Sequence, residues 1–170
     1  MTTSMQTSEH DFVRRAKLRV RGNRYEDFTP GRTFEHHWGR TLTQAENALF
    51  TTLTLHYNPH YYNREYALGH DHPDTPINPM LVFNTVFGLS VEDLSEGGGP
   101  FLGIEELTFH VPVYPGDTLT ARSTVIEGRE PSTHSNMGIV TWHTEGFNKK
   151  GDRVIDFRRT NLVKMREATA

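Results

Sequence analysis

The sequence predicts an α+β fold in which an antiparallel sheet wraps around a central apolar helix. Met80 to Leu94 reads MLVFNTVFGLSVEDL, apolar on nearly every side until Glu92, and a helix apolar all round has to be covered all round. After Gly97-Gly98-Gly99-Pro100 the chain changes to long strand-like runs separated by turn residues, a pattern that antiparallel pairing satisfies. One buried helix followed by four such strands gives a layer of helix on sheet.

Taken in order, residues 1–11 are rich in Thr and Ser and are expected to form a flexible arm, leaving 12–170 as one domain. Phe12 to Thr29 mixes basic and acidic residues and reads as helix; Pro30-Gly31 is a turn signal. Arg32 to Leu42 has strand character, with Phe34 and Trp38 facing inward. Thr43-Gln44-Ala45-Glu46 matches a capping box, in which a threonine oxygen and a glutamate each satisfy an orphan amide. A helix from Gln44 to about Thr54 follows, burying Ala45, Leu49, Phe50 and Leu53. Asn63 caps a short helix, Arg64 to Leu68, closed by Gly69. His70 to Pro76 is a polar loop, and Asn78-Pro79 opens the apolar helix with proline in its first turn. The strands are Phe101–Val113, Thr118–Glu127, Met137–Phe147 and Arg153–Met165, the last two joined by a hairpin loop at 148–152. Arg158 and Arg159 point to opposite sides of the last strand, so at most one faces inward.

Composition excludes several functions. The chain has 170 residues, 23% charged, with a net charge of -3, and offers no electrostatic case for nucleic acid. It has no cysteine, hence no disulfide, thiolate metal site or cysteine nucleophile. No GxGxxG, Walker loop or GxSxG is present, which removes nucleotide-dependent and serine-hydrolase chemistry. No apolar run suits a signal peptide or a membrane span, so the expectation is a cytoplasmic protein without membrane contact. Six of its ten histidines fall between Gly31 and Pro73. His56 and His60 are four apart, but Pro59 breaks a regular helix there and no Glu lies between them, so no metal site is expected.

The helix-then-sheet order, Asn58-Pro59, Pro76-Ile77-Asn78 ahead of the apolar helix, and Val113-Tyr114-Pro115-Gly116-Asp117-Thr118-Leu119 together resemble the hot-dog fold. In particular they resemble the MaoC-like acyl-CoA hydratases and dehydratases, in the branch acting on mesaconyl- or itaconyl-type thioesters. The resemblance covers roughly Arg32 to Met165. It implies an acyl-thioester substrate carried by coenzyme A or a carrier protein, with no other cofactor. Members of that family hold one water between an aspartate and a histidine flanking Asn-Pro. Aligned on Asn58-Pro59, the aspartate position holds His56 and the histidine position Tyr61; a shift of one residue brings His60 into the histidine role. The family's His-Gly at the helix start is Asn78-Pro79 here, and proline has no amide proton. The donor to a thioester carbonyl is then the Met80 amide or the Asn78 side chain.

Hydration needs a polarised carbonyl, a base for water and a proton for carbon. The candidates are His56 as base, Tyr61 or His60 to position water or donate, and Asn58, Asn63, Asn78 and Met80 around the substrate; Asn58 and Asn63 also suit loop and cap bonding. The reading is therefore a lyase adding or removing water on an enoyl thioester. Two alternatives stand beside it, a hot-dog thioesterase and a non-catalytic thioester-binding subunit. A lone sheet of this kind leaves an edge and one side of its helix uncovered, so a homodimer or higher homo-oligomer is expected.

Overall fold

The computed structural model describes residues 22–132 and 136–167; the arm at 1–11 and most of the helix expected at Phe12–Thr29 lie outside them. From Gly22 onward that helix is replaced by a single 3-10 turn, Tyr25–Asp27.

Strand β1 is Thr33–Thr41. Its inward residues are Phe34 and His36, whereas Trp38, expected inward, is 63% exposed. The pairing of β1 slips by two residues between His36 and Arg40, so Trp38 lies in a bulged stretch with no register partner on β3. Helix α1, Gln44–Leu53, starts at the expected capping box: Glu46 N–H donates to Thr43 Oγ1 at 3.3 Å, and Thr43 N–H to Glu46 Oε2 at 3.0 Å. The face it buries is not the expected one. Leu49 and Leu53 are 60% and 73% exposed, while Asn47 and Thr51, one turn apart, are fully buried. The reason is polar: Asn47 serves three buried backbone groups, described below, that a leucine would leave unpaired.

A short helix α2, Arg64–Leu68, is capped by Asn63. Helix α3, Pro79–Leu94, is the central one. Strands β2 (Phe101–Phe109), β3 (Thr118–Arg129), β4 (Met137–Phe147) and β5 (Arg153–Lys164) complete a five-stranded sheet in the order β1-β3-β4-β5-β2. Every neighbouring pair is antiparallel. Strand β2 stops four residues short of expectation; beyond it, Val113 O accepts the Ile77 N–H at 2.8 Å and ties that connection to the start of α3.

Val82 and Val86 of α3 pack on Leu119, Ala121, Ile155 and Phe157 of the sheet. Leu119 and Phe157 are fully buried, each stabilising the fold by roughly 1.5–3 kcal/mol through removal from water. Helix and sheet approach closely at Gly146, where a Cβ would lie 2.6 Å from Val86 Cγ2.

Polar groups fix the far end of α3. Buried His36 places Nδ1 2.6 Å from Asp93 Oδ2 and Nε2 2.8 Å from Ser123 Oγ, which lies 2.8 Å from Thr144 Oγ1. Arg159 is the inward arginine. Its guanidinium donates to Asn161 Oδ1, Ser90 Oγ and Ser95 Oγ at 2.9, 3.0 and 2.7 Å and lies over the Phe87 ring. Burial lowers its pKa to about 10, so it stays charged at neutral pH, beside the helix end whose carbonyls favour a cation. Arg158 faces outward, 3.0 Å from Glu106. Asn84 also points outward and donates to the Met80 carbonyl of its own helix.

Candidate active site

The other end of α3 is where the residues singled out in the sequence meet. Asn47 Nδ2 donates to the carbonyls of Tyr61 (2.8 Å) and Pro76 (3.0 Å), and its Oδ1 accepts the Asn78 N–H at 2.7 Å. One side chain thus fastens the 56–61 segment to the start of α3. Asn78 caps that helix: its Oδ1 accepts the Met80 N–H at 3.0 Å. Its Nδ2 donates to Thr51 Oγ1 at 3.2 Å and to His56 Nδ1 at 3.0 Å.

These contacts fix a tautomer. The Met80 amide can only donate, so the Asn78 atom facing it is oxygen and the atom facing His56 is NH₂. His56 Nδ1 therefore accepts, and the neutral ring carries its proton on Nε2. The opposite holds for His60. Asn58 Oδ1 accepts the His60 backbone N–H at 3.1 Å and lies 2.9 Å from His60 Nδ1. That nitrogen must donate, which leaves Nε2 of His60 as a lone pair. Within five residues, one imidazole presents a donor and the other an acceptor.

Local backbone geometry aims His56. Helix α1 ends with Leu55 N–H bonding Thr52 O and His56 N–H bonding Thr51 O, a Schellman arrangement whose turning residue usually is glycine. Leu55 takes that place at φ 57° and is 69% exposed. A non-glycine residue there costs about 1 kcal/mol or more. Leu55→Gly is expected to raise the stability of the chain by up to about 1 kcal/mol, read as a higher Tm, while loosening the segment that carries His56.

Tyr61 is half-buried, its ring 5.4 Å from that of His56 in an edge-to-face contact. Burial raises its pKa above the ordinary tyrosine value, so its hydroxyl is a proton donor and not a base. The His60 ring makes edge contacts with Tyr66, His70 and His72, and His72 Nδ1 lies 3.0 Å from the Tyr114 hydroxyl. Among the described residues no three His, Asp or Glu side chains are placed to hold a metal ion. Asn63 is exposed and spends its oxygen on the Tyr66 N–H; the Met80 amide is engaged by Asn78. Asn47 and Thr51 were not singled out in the sequence. The capping box that placed α1 gives no hint that its inner face is polar.

Beside Pro79 lies a pocket of about 210 Å³ between α3 and the chain that follows β2, walled by Val82, Phe109, Val113 and Val154, with His110 at its edge. His110 Nε2 is 2.5 Å from Asp156 Oδ1, and His143 Nε2 is 2.8 Å from Oδ2 of the same carboxylate. Burial raises the Asp156 pKa, but the hydrogen bonds from His143 and His110 and the charge of Arg153 outweigh it and hold the carboxyl below its ordinary range.

Comparison with known proteins identifies the lineage. The family profile described as mesaconyl-CoA hydratase matches residues 3–170. A mesaconyl-CoA hydratase of Haloarcula marismortui is 38% identical over 157 residues, 92% of this chain and 44% of that protein. The structure of a MaoC domain protein of Chloroflexus aurantiacus superposes with a TM-score of 0.84 at 33% identity, covering 91% of this chain and 44% of the other. A Mycobacterium tuberculosis protein described as a double hot-dog fold gives 0.78 at 21% identity, covering 90% and 47%. The chain thus spans less than half the length of these relatives. No helix among the described residues is long and apolar enough to cross a membrane. The chain has a hot-dog fold and belongs to the mesaconyl-CoA hydratase family.

Proposed function

We propose that the chain adds water reversibly to an enoyl thioester, with His56 as the electrophile and His60 as the base. The observation that carries this is the pair of opposite tautomers, one fixed by Asn78 and the other by Asn58. A neutral imidazole that donates from Nε2 polarises a carbonyl without giving up its proton. His56 takes this part, because the Met80 amide is already bonded and Pro79 has none. The lone pair on His60 Nε2 receives a proton from water as its oxygen adds to the β-carbon. The resulting imidazolium returns that proton to the α-carbon as the enolate collapses. One water is added, the thioester stays intact, and no cofactor beyond the acyl carrier is used. Tyr61, kept protonated by burial, holds the water.

The substrate reading follows the relatives, which are named for mesaconyl-CoA. A cytoplasmic location follows, since that is where acyl-CoA substrates of this kind are found. The assembly is proposed to pair two hot-dog domains. Edge strand β2 exposes Phe101, Leu102 and Phe109, and α1 exposes Leu49 and Leu53, surfaces that a second domain would cover. The Mycobacterium tuberculosis neighbour is described as a double hot-dog fold, which supports a second domain of the same kind as what covers these surfaces.

The test is incubation of the protein with mesaconyl-CoA, followed by mass spectrometry for gain of water against release of free CoA. Hydrated thioester is expected. Free CoA without hydrated product would make the chain a thioesterase, and binding without turnover would make it a silent subunit.

A further inference from the structure

A water that adds to a double bond has all four of its positions assigned. One lone pair attacks carbon and one hydrogen goes to the base; the other lone pair and the other hydrogen need partners that keep the oxygen on line. In the proposed scheme His60 Nε2 takes one hydrogen and the Tyr61 hydroxyl donates to the spare lone pair. The second hydrogen is left without an acceptor.

His70 is placed to supply one. Helix α2 ends at Gly69, and the Ala67 carbonyl accepts the backbone N–H groups of His70 and His72 at 3.0 and 3.2 Å. Asp71 between them takes φ 64°, a left-handed conformation that aspartate tolerates better than most side chains. The turn brings both imidazoles to the ring of His60. The His70 ring lies flat on Tyr66, with centroids 4.0 Å apart at 23°, and its Nδ1 is 2.8 Å from the Tyr66 carbonyl. A carbonyl only accepts, so Nδ1 carries the proton and Nε2 of the neutral ring is a lone pair, as in His60. Neither Nε2 has a hydrogen-bond partner among the described residues.

Two neighbouring rings therefore present acceptors. Their centroids are 5.2 Å apart at 73°, a separation that one water can span at roughly 2.9 Å from each nitrogen. His72 is nearly as close to His60, at 5.5 Å, but its Nδ1 faces the Tyr114 hydroxyl, which either donates or accepts, so its tautomer is not fixed. The bond from His70 to Tyr66 also caps the last turn of α2, a common use of histidine at a helix end. Capping asks nothing of Nε2, and that separates the two roles.

We infer that His70 is a second catalytic histidine, whose Nε2 accepts the hydrogen of the attacking water that His60 does not take. The inference rests on the proposed hydration by His56 and His60. His60 alone removes a proton. The O–H bonded to His70 stays intact throughout and becomes the hydroxyl of the product.

The experiment measures steady-state hydration of mesaconyl-CoA by the whole protein and its variants, beside calorimetric binding of the saturated, unreactive butyryl-CoA. His70→Phe keeps a ring to stack on Tyr66 but has no lone pair. It is expected to lower kcat about tenfold, the scale of one lost hydrogen bond, with KM and butyryl-CoA affinity little changed. His70→Gln, whose amide offers both a donor and an acceptor, should recover most of that loss. Since both histidines hold one water, adding His70→Phe to His60→Gln should cost little more than His60→Gln alone. An unchanged kcat in His70→Phe, a loss matched by weaker butyryl-CoA binding, or losses that multiply fully in the double variant would overturn the assignment and leave hydration by His56 and His60 standing. A folded wild type that binds butyryl-CoA but adds no water to mesaconyl-CoA would remove the proposed hydration and this inference with it.

Discussion

His60→Gln is expected to lower kcat for hydration by about 10² to 10⁴-fold, the usual contribution of a general base, with little change in KM or in folding. Glutamine keeps the approximate length of the ring and can donate to Asn58 Oδ1 as Nδ1 does, but it has no lone pair basic enough to take a proton from water. His60 packs edge-on against three neighbouring rings and is half-buried, so a modest loss of Tm is expected as well. The comparison that isolates chemistry is Tyr61→Phe, which removes a hydroxyl that positions water but no base and should cost only about tenfold. Loss of enoyl-thioester absorbance measures both. Equal losses in the two variants would show that His60 serves packing and not proton transfer.

Asn47→Ala is expected to be the most damaging single change to the fold near the site, costing about 3–5 kcal/mol. The substitution strands the Tyr61 and Pro76 carbonyls and the Asn78 N–H, which Asn47 satisfies at 2.7–3.0 Å in a fully buried place. Each unpaired buried group costs about 1–3 kcal/mol, and the three are not additive. Asn47→Asp is expected to do no better: an ionised carboxylate still accepts from Asn78 N–H but faces two carbonyl oxygens with nothing to donate. Urea unfolding gives the stability, and a midpoint unchanged in both variants would mean that the 56–61 segment is held to α3 by something else. Asn47 ties the segment that carries His56 and His60 to α3, so under the proposed mechanism the surviving folded fraction should also lose activity.

What the sequence made legible is what local chemistry dictates. The Thr43–Glu46 box, Asn63 before α2 and Asn78-Pro79 before α3 placed three helix starts, because a cap and its partner lie within a few residues. Glycine and proline punctuation placed the strand ends to within a few residues. The failures come from contacts distant in sequence. Trp38 was expected inward because period-two alternation was carried through β1, and the slip that turns it out is visible only against β3. Leu49 and Leu53 looked like the inner face of α1 because apolar residues usually are, but the partners of Asn47 lie 14 to 31 residues away. The pocket is a meeting of α3, the chain after β2, and β5, and nothing local marks His110. At the site, the sequence names His56, His60 and Tyr61 as candidates but not the contacts from which their proposed roles are argued. The tautomer of His56 is set by a residue 22 positions on, and that contact is what supports the proposal of His56 as donor instead of the base expected from the sequence.

The most direct measurement is therefore ¹⁵N NMR of the histidine rings in the resting protein at about pH 8, above the ordinary histidine range near 6.5. His56 and His60 would be assigned by single substitutions. The expected result is one ring protonated on Nε2, lost in His56→Gln, and one protonated on Nδ1, lost in His60→Gln. Asn78→Ala should release the first from its fixed tautomer, leaving the second in place. Two rings in the same tautomer, or a His56 protonated on Nδ1, would contradict the division of work between electrophile and base.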